Sequence, residues 1–513
     1  MMNSNGGNEY DAVVIGGGPN GLLAAAYLAR AGAKVALLER RHETGGGLNT
    51  DEYFGFRLNL HAIYHLMSDR MPAHRDLDLP GLGLRYVYPP VAAAFPFADG
   101  DALLFSSDAS ETARSIERFS KADADRYMGM WEEFQPLLDE YLIPMTYEPP
   151  MPPVDQMVEF EATDAGKRLA EISELSFVEV VDHYGIEDPR VRMALLSLPA
   201  MWGLDLGEPL GYLYPLYLCR MLSAGLVKGG SHRLSSAIYR SLIKSGGVVF
   251  DSCEARSLLF EDGAAVGVVD SEGREFHARA VISTLNPAQT FLGLVGADRL
   301  PEDLALAAQS WEWEERTLFG LHLGVQGDVR FGADNDRVNE AMIVFCGLQT
   351  DDQLLDHLAR VDSGDTSTCE WLHVTVPSRF DATMAPPGHH VVRAEAVVAY
   401  DAPWAQMGED FGNSCLELLR RHATLGDIVL RRDYPPTDIE AKLTTMTRGS
   451  IKHGAYNALQ MGYFRPNDQC SHTETPIPGL YVAGASVYPG GMILGGPGYI
   501  GAGVVGEALG LEA

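Results

Sequence analysis

The sequence predicts an α/β protein in which a Rossmann-type dinucleotide-binding domain is interleaved with a mixed α+β domain. Three observations lead there: a strand–glycine–helix–strand unit at the start, a helix followed by short apolar strands in the middle, and two long segments of mixed pattern. The 513 residues, 46% of them hydrophobic and 21% charged, supply enough apolar material for large cores without disulfides.

The first unit is the most informative. Residues 11–15 form a β-branched apolar run that leads directly into Gly16-Gly17-Gly18-Pro19-Asn20-Gly21 and then into a helical pattern over 22–30. A second apolar run, 34–38, ends in Glu39, eighteen residues beyond Gly21, which completes a βαβ unit. Gly16 permits a tight turn, Gly18 lets the backbone approach a pyrophosphate, and Gly21 allows close packing of the helix. The helix N-terminus offers unpaired N–H groups to phosphates, and Glu39 is placed to accept ribose hydroxyls.

Further on, 234–244 reads as a helix, and 248–250, 254–260, 264–270 and 280–283 as strands of a meander with turns at Asp262-Gly263 and Glu272-Gly273. Helical patterns also cover 123–141 and 411–425. A second Gly-x-Gly-x-x-Gly, Gly496 to Gly501, has too little chain after it for another βαβ unit and needs a different explanation. The expected division is 1–75, 227–290 and 440–513 for the dinucleotide-binding domain, and 76–226 and 291–439 for the other. The apolar segment 209–227 carries Arg220, Tyr212, Tyr214 and Tyr217, which suits a buried or pocket-lining helix better than a membrane span.

Composition excludes some partners. Lys and Arg total 39 against 70 Asp and Glu, a formal charge of −31 that repels nucleic-acid phosphates and anionic lipid surfaces. No nucleic-acid partner and no stable membrane insertion are expected. The six cysteines, Cys219, Cys253, Cys346, Cys369, Cys415 and Cys470, have no CxxC spacing, which argues against a zinc cage, a disulfide framework or a dithiol centre. No metal site is expected. The chain opens on polar residues without the basic start and apolar run of a signal peptide, so a cytoplasmic, reducing location is expected.

The motifs carry a resemblance. After Glu39 come Arg40-Arg41-His42-Glu43-Thr44-Gly45-Gly46-Gly47 and Gly55-Phe56-Arg57-Leu58-Asn59; in the middle stands Lys228-Gly229-Gly230. Later come Gly449-Ser450-Ile451-Lys452-His453-Gly454, Gln460, Arg465-Pro466, and Pro478-Gly479-Leu480-Tyr481-Val482-Ala483-Gly484-Ala485 running on to Gly490-Gly491. Together these resemble the phytoene desaturase-like family of FAD-dependent oxidoreductases, a branch of the amine oxidase group with carotenoid desaturase, isomerase and retinol saturase relatives. The resemblance implies a glutathione reductase/amine oxidase-like FAD-binding domain holding an extended FAD. Its diphosphate would lie on Gly16, Gly18, Pro19, Asn20 and Gly21, and its ribose on Glu39. The isoalloxazine would be flanked by 484–501, so the second glycine motif becomes a close-approach loop and helix start beside the flavin. The implied cofactor-binding set also contains Arg40, Gly45, Gly46, Gly47, Glu254, Gly484, Ala485, Gly491, Gly496 and Tyr499. Gly47 stands where the family often has Arg, and Ala485 where many amine oxidase relatives have an acid.

FAD limits the chemistry to hydride or electron transfer. A single dinucleotide fingerprint leaves no separate nicotinamide site. The expected reaction is desaturation by hydride transfer to flavin N5, with a base taking the neighbouring proton. The acidic charge favours a small or medium soluble substrate, such as an alicyclic ketone or oxo acid, over a membrane-borne polyene. A carotenoid-type desaturase, an amine oxidase, a redox-neutral isomerase and a non-catalytic flavoprotein are the alternatives. Catalytic candidates are His453 and Tyr456 in the late family-like stretch, His61, Tyr64 and His65 after the Gly55 loop, and Tyr499 in the glycine-rich end. Arg448, Lys452 and Arg465 could hold an anionic or carbonyl group. The electron acceptor stays open between oxygen, a quinone and an electron-transfer protein.

Overall fold

Two seven-stranded sheets organise the protein, seen in a computed structural model that describes residues 9–511. Positions 1–8, part of the polar opening considered above for targeting, and 512–513 lie outside the described residues.

The first sheet runs in the order Val248–Phe250, Val35–Leu38, Glu9–Ile15, Glu275–Ser283, Ala264–Asp270, Ala255–Glu261, with Leu480–Val482 added in parallel along the end of Glu275–Ser283. The strands Val248–Phe250, Val35–Leu38, Glu9–Ile15 and Glu275–Ser283 are mutually parallel. Both faces are covered, so the central strands are continuously apolar. Side chains alternate between two cores: Ala12 and Val14 meet Leu22, Leu234, Ile238 and Val505, whereas Val13 and Ile15 meet Phe276, Phe291 and Val482. Three helices form the first covering layer, Pro19–Arg30, His232–Lys244 and Gly496–Leu509. His232–Lys244 presents Leu234, Ile238 and Leu242 at a spacing of four, the stripe its sequence pattern predicts.

Two expectations for the middle segment need correction. Val248–Phe250 is a parallel edge strand, not part of the meander. The last meander strand starts at Glu275, five residues before the apolar run: Phe276 and Ala278 are buried between exposed Glu275, His277 and Arg279, an alternation that an unbroken apolar run does not show.

The second sheet has the order Ala423–Tyr434, Arg316–Phe331, His389–Ala399, Leu372–Thr375, Ala341–Cys346, Val91–Pro96, Ala102–Ser106. Helix Trp404–His422 covers one face, packing Phe411, Cys415 and Leu419 on Phe319, Leu321 and Leu323. The other face carries Phe95, Phe105, Ile343 and Phe345 into a core with Tyr127, Met130, Phe134 and Leu195. The helix expected over 123–141 is an α-helix over Lys121–Pro136 that continues as a π-helical turn, Leu137–Leu142. The one expected over 411–425 starts earlier, at Trp404, and yields at Ala423 to a strand of the second sheet.

Segment 209–227 is not one helix. It is a 3-10 turn, Gly211–Leu213, a π-helical turn, Leu216–Arg220, and a strand, Gly225–Val227. Arg220 is buried and paired with Asp69. Among the described residues no helix is long and apolar enough to cross a membrane.

Candidate functional site

The carboxyl ends of the parallel strands converge on one cleft, the usual ligand position in an open α/β sheet. Glu9–Ile15 runs into Gly16, Val35–Leu38 into Glu39, Glu275–Ser283 into Thr284, and Leu480–Val482 leads to Gly484. The cleft has a volume of about 570 Å³.

Its floor is built by steric necessity. A Cβ at Gly21 would stand 2.0 Å from the Gly16 carbonyl oxygen, so no other residue fits there. Gly16 itself takes φ +98°, a conformation that favours glycine. Gly18 differs: a Cβ there would meet nothing within 4 Å, and Gly18 caps a helix that starts with Pro19 and has no capping side chain. The free N–H end of that helix faces the cleft and could hold a diphosphate. Glu39 is buried at its side, and its carboxylate accepts the Gly17 N–H at 2.7 Å and the Arg41 N–H at 2.8 Å. Both oxygens keep a lone pair for a ribose hydroxyl.

Of the residues implied for the cofactor, Gly16, Gly18, Pro19, Asn20, Gly21, Glu39, Arg40, Gly46, Gly47, Glu254, Gly484, Ala485 and Gly491 line this cleft. Gly45, Gly496 and Tyr499 do not. Gly45 supports the turn from behind, donating its N–H to the Gly17 carbonyl at 2.7 Å. Gly496 starts the last helix, where a Cβ would strike the Thr146 carbonyl at 2.2 Å. Tyr499 packs its ring edge-on to Tyr27 and Tyr147, at 5.2 and 5.8 Å. In the second glycine motif, Gly498 lets the last helix touch the first: its Cβ would lie 2.3 Å from the Asn20 carbonyl. Sequence reasoning missed Thr284, Gln289 and the run Lys442 to Met446, which line the cleft; Met492 and Ile493, inside the segment 484–501 expected beside the flavin though not singled out, line it too. Met492 and Ile493 sit at φ +73° and +59°, strained values for non-glycine residues.

A second cavity, of about 350 Å³, adjoins the first through Met492 and Leu494, which line both. Its wall is largely apolar, with Leu142, Phe160, Leu213, Leu216 and Met461 among its residues; its polar atoms come from Tyr212, Tyr217, Tyr456, Tyr463 and Tyr488, from Thr146, Gln156 and Ser173, and from one carboxylate, Glu174. No Lys, Arg or His lines it. The Tyr147 hydroxyl donates to the Leu494 carbonyl at 2.9 Å and that of Tyr488 to the Met145 carbonyl at 2.7 Å, so the 143–150 segment is fastened to the loop between the cavities.

The catalytic candidates separate. His453 lines the first cleft; burial and the Arg465 guanidinium push its pKa down to about 4, so the imidazole is neutral, and its buried Nδ1 has no partner. Tyr456 lines the second cavity, and its hydroxyl accepts the Gly491 N–H. The structure brings His61, Tyr64 and His65 to neither cavity. His61 packs on Tyr434, Tyr64 on Trp202, and His65 Nδ1 bonds the Tyr86 hydroxyl at 2.9 Å.

The three cations considered for substrate binding are all engaged elsewhere. Arg448 pairs with Glu315 and Asp401, at 3.0 and 2.8 Å. Buried Lys452 donates to the Trp202 carbonyl at 2.8 Å and pairs with buried Glu314 at 3.1 Å. Arg465 is fully buried and donates to main-chain carbonyls, including those of Lys452 and Ala485.

Comparisons with known proteins agree with this geometry. The profile of the NAD(P)-binding Rossmann-like domain matches residues 14–77. A limonene dehydrogenase component of Castellaniella defragrans is 41% identical over 98% of this chain and 96% of its own length. The neurosporene-forming phytoene desaturase of Rhodobacter capsulatus is 23% identical over 96% of this chain and 92% of its own. Among solved structures, putrescine oxidase bound to putrescine superposes with a TM-score of 0.58 at 16% identity, over 98% of this chain and 99% of that one, a likeness of fold. The chain belongs to the phytoene desaturase-like family of FAD-dependent oxidoreductases and is an oxidoreductase with a flavin-type cofactor.

Proposed function

We propose that the first cleft holds FAD and that the enzyme removes a hydride and a proton from a neutral alicyclic compound lodged in the second cavity, leaving a C=C bond. One observation carries this reading: an apolar cavity of about 350 Å³ without a Lys, Arg or His meets the cleft at Met492 and Leu494. A carboxylate would have no counter-ion in such a wall, so an oxo acid fits less well than an alicyclic ketone or hydrocarbon. The likeness to a limonene dehydrogenase component points the same way, limonene being an alicyclic hydrocarbon.

Bound FAD supplies the hydride acceptor. The chain's part is position and proton handling. The helix start at Gly18, with Glu39 beside it, would hold the diphosphate and ribose, and the glycines at 484, 490 and 491 would let backbone approach the ring. The walls of the second cavity exclude water and orient the ring of the substrate toward Met492. His453, neutral and on the cleft side of Met492, would take the proton from the end of the substrate that reaches the flavin. Tyr456, whose hydroxyl accepts one hydrogen bond and keeps its own proton, is the donor to a substrate oxygen where there is one.

The same reading divides the chain. The expected division into 1–75, 227–290 and 440–513 for the FAD-binding domain and 76–226 and 291–439 for the substrate domain shifts at two borders, because Leu79 and Leu84 share a core with Leu234, and Phe291 and Leu304 one with Val281 of the first sheet. All six cysteines are free and buried, which supports a cytoplasmic site of action. The electrons leave to oxygen, a quinone or an electron-transfer protein.

The test is anaerobic: mix the yellow holoprotein with a cyclic monoterpene hydrocarbon, a cyclic ketone, an oxo acid, an amine and a polyene, and follow the flavin band near ~450 nm. Bleaching by the hydrocarbon or the ketone, with the dehydrogenated product recovered, supports the proposal; air, a soluble quinone and an electron carrier added afterwards identify the acceptor. Bleaching confined to the amine or the oxo acid overturns it.

A further inference from the structure

We propose that a cationic depression remote from both cavities binds a phosphate-class anion. Against a chain charge of −31, a depression of about 240 Å³ is lined by Arg57, Arg85, Lys228, Arg233 and Arg240, together with Leu82, Gly83, Gly229 and Thr383. No carboxylate lines it, and it shares no residue with the cleft or the substrate cavity.

Cations on an acidic surface normally sit beside acids. Here only Arg57 does, with Glu52 at 3.3 Å. Among the described residues, Arg85, Lys228, Arg233 and Arg240 have no carboxylate at ion-pair distance. Asp381, which accepts the Gly229 N–H and the Thr383 hydroxyl, is buried and is not part of the lining. Four like charges that converge on one hollow repel each other, a cost that an anion removes.

The hollow is also shaped. Arg85 donates to the carbonyls of Pro80 and Leu84, and Arg240 to that of Leu82 at 2.8 Å, so neutral acceptors hold both guanidinium groups without cancelling their charge. Two glycines make room: a Cβ at Gly83 would stand 3.3 Å from an Arg240 nitrogen, and one at Gly229 would stand 3.1 Å from Arg233 Nε. Guanidinium forks fixed in this way match the oxygens of a phosphate, and the volume admits one or two phosphoryl groups. Arg85 and Thr383 come from segments expected in the substrate domain, and the other three arginines and Lys228 from segments expected in the FAD domain.

The source of the phosphate is a free or metabolite phosphate, or a lipid headgroup, and the test separates them. Thermal unfolding of the holoprotein is measured in chloride, inorganic phosphate and pyrophosphate at equal ionic strength, and sedimentation is measured with phosphatidylcholine vesicles with and without phosphatidic acid. The expected result is a saturable rise of about 2–5 °C in Tm with phosphate or pyrophosphate over chloride. The double variant Arg233→Gln/Arg240→Gln loses this rise while its flavin absorbance stays at the wild-type level; Lys228→Gln, an exposed single change, halves it. Sedimentation with phosphatidic acid vesicles that the double variant loses assigns a headgroup; a Tm response without sedimentation assigns a soluble phosphate. No response in either assay, or the same response in wild type and both variants, overturns the site.

Discussion

The Tyr456 hydroxyl accepts the Gly491 N–H at 3.0 Å, which joins the second cavity to the glycine loop of the first cleft through a single oxygen. A Cβ at Gly490 would lie 2.3 Å from that same oxygen, so the loop is shaped around the phenol. Burial raises the Tyr456 pKa, and the proton stays on the oxygen across the working range. Tyr456→Phe is therefore expected to keep its flavin and its fold while the rate of anaerobic flavin reduction by a cyclic ketone falls about 10- to 100-fold. Reduction of the hydrocarbon, which has no oxygen to protonate, should fall less. Equal losses for the two substrates would remove Tyr456 from proton handling.

The cofactor end rests on contacts that tolerate no atom more. Gly21→Ala would drive a methyl group to within 2.0 Å of the Gly16 carbonyl. Glu39→Ala would strip the acceptor from the Gly17 and Arg41 N–H groups, costing about 1–3 kcal/mol for each left unpaired. Both variants are expected to purify with less than about a tenth of the wild-type flavin, Gly21→Ala through the diphosphate turn and Glu39→Ala through the ribose acceptor and the Gly17 N–H it holds. The absorbance ratio at 450 and 280 nm checks this. Full flavin content in either variant would mean that the cofactor does not lie on this turn.

Acid should loosen the whole fold. His61 and His322 are held far below the ordinary histidine value by burial, and the pKa falls to about 3 for His65 and His373 and to about 4 for His357 and His453. Each is neutral in the folded chain and titrates near 6.5 once unfolded. The unfolded chain thus binds more protons between those values, so the stability these groups contribute is complete above about pH 7.5, begins to fall near pH 6.5 and is lost as pH drops further, by up to about 1.4 kcal/mol per unit for each histidine. Glu395 works in the opposite direction: burial raises its pKa to about 7, so its contribution is present at low pH and is lost as pH rises through that value. Six groups against one decide the sign. Urea midpoints at pH 7.5, 6.5 and 5.5 are expected to fall modestly across the first pair and several times more steeply to the third; a rise between 6.5 and 5.5 would contradict the burial argument.

How much of this was legible beforehand follows from chain distance. The βαβ unit is local, and its glycines, helix and Glu39 fall within about thirty residues, so spacing alone places them on one cleft. Thr284 and the run Lys442 to Met446 reach the same cleft from remote parts of the chain, and neither carries a motif. The second sheet was hidden for a different reason. Val91–Pro96 is buried at every position, so it shows no period of two, and its alanines and proline are poor strand signals. The substrate cavity is assembled from Leu142, Leu169, Leu213, Tyr456 and Tyr488, positions at which pattern indicates burial but not a hollow. For Arg465, which pattern leaves open between a substrate, a flavin and a surface contact, the partners are main-chain carbonyls.

Those partners make Arg465 the most exposed point of the design to mutation. Its guanidinium lies between the rings of Trp311 and Tyr456, at 5.3 and 4.8 Å, and donates to the carbonyls of Lys452, Gln460 and Ala485 at 2.9, 3.2 and 3.2 Å. It thereby fixes the segment that carries His453 and Tyr456 to the strand-end loop at Ala485 in the cleft. Arg465→Met keeps the length and the apolar stem but leaves buried carbonyls without donors and two rings without a cation, an expected loss of about 3–5 kcal/mol. Arg465→Lys restores the charge with fewer, less directed donors and should recover part of it. The measurements are the urea midpoint and the rate at which flavin dissociates on dilution: both should worsen in the order wild type, Lys, Met. A Met variant that unfolds at the wild-type midpoint would show that the carbonyls find other donors, and a Lys variant as poor as Met would show that fork geometry, not charge, holds the cleft together.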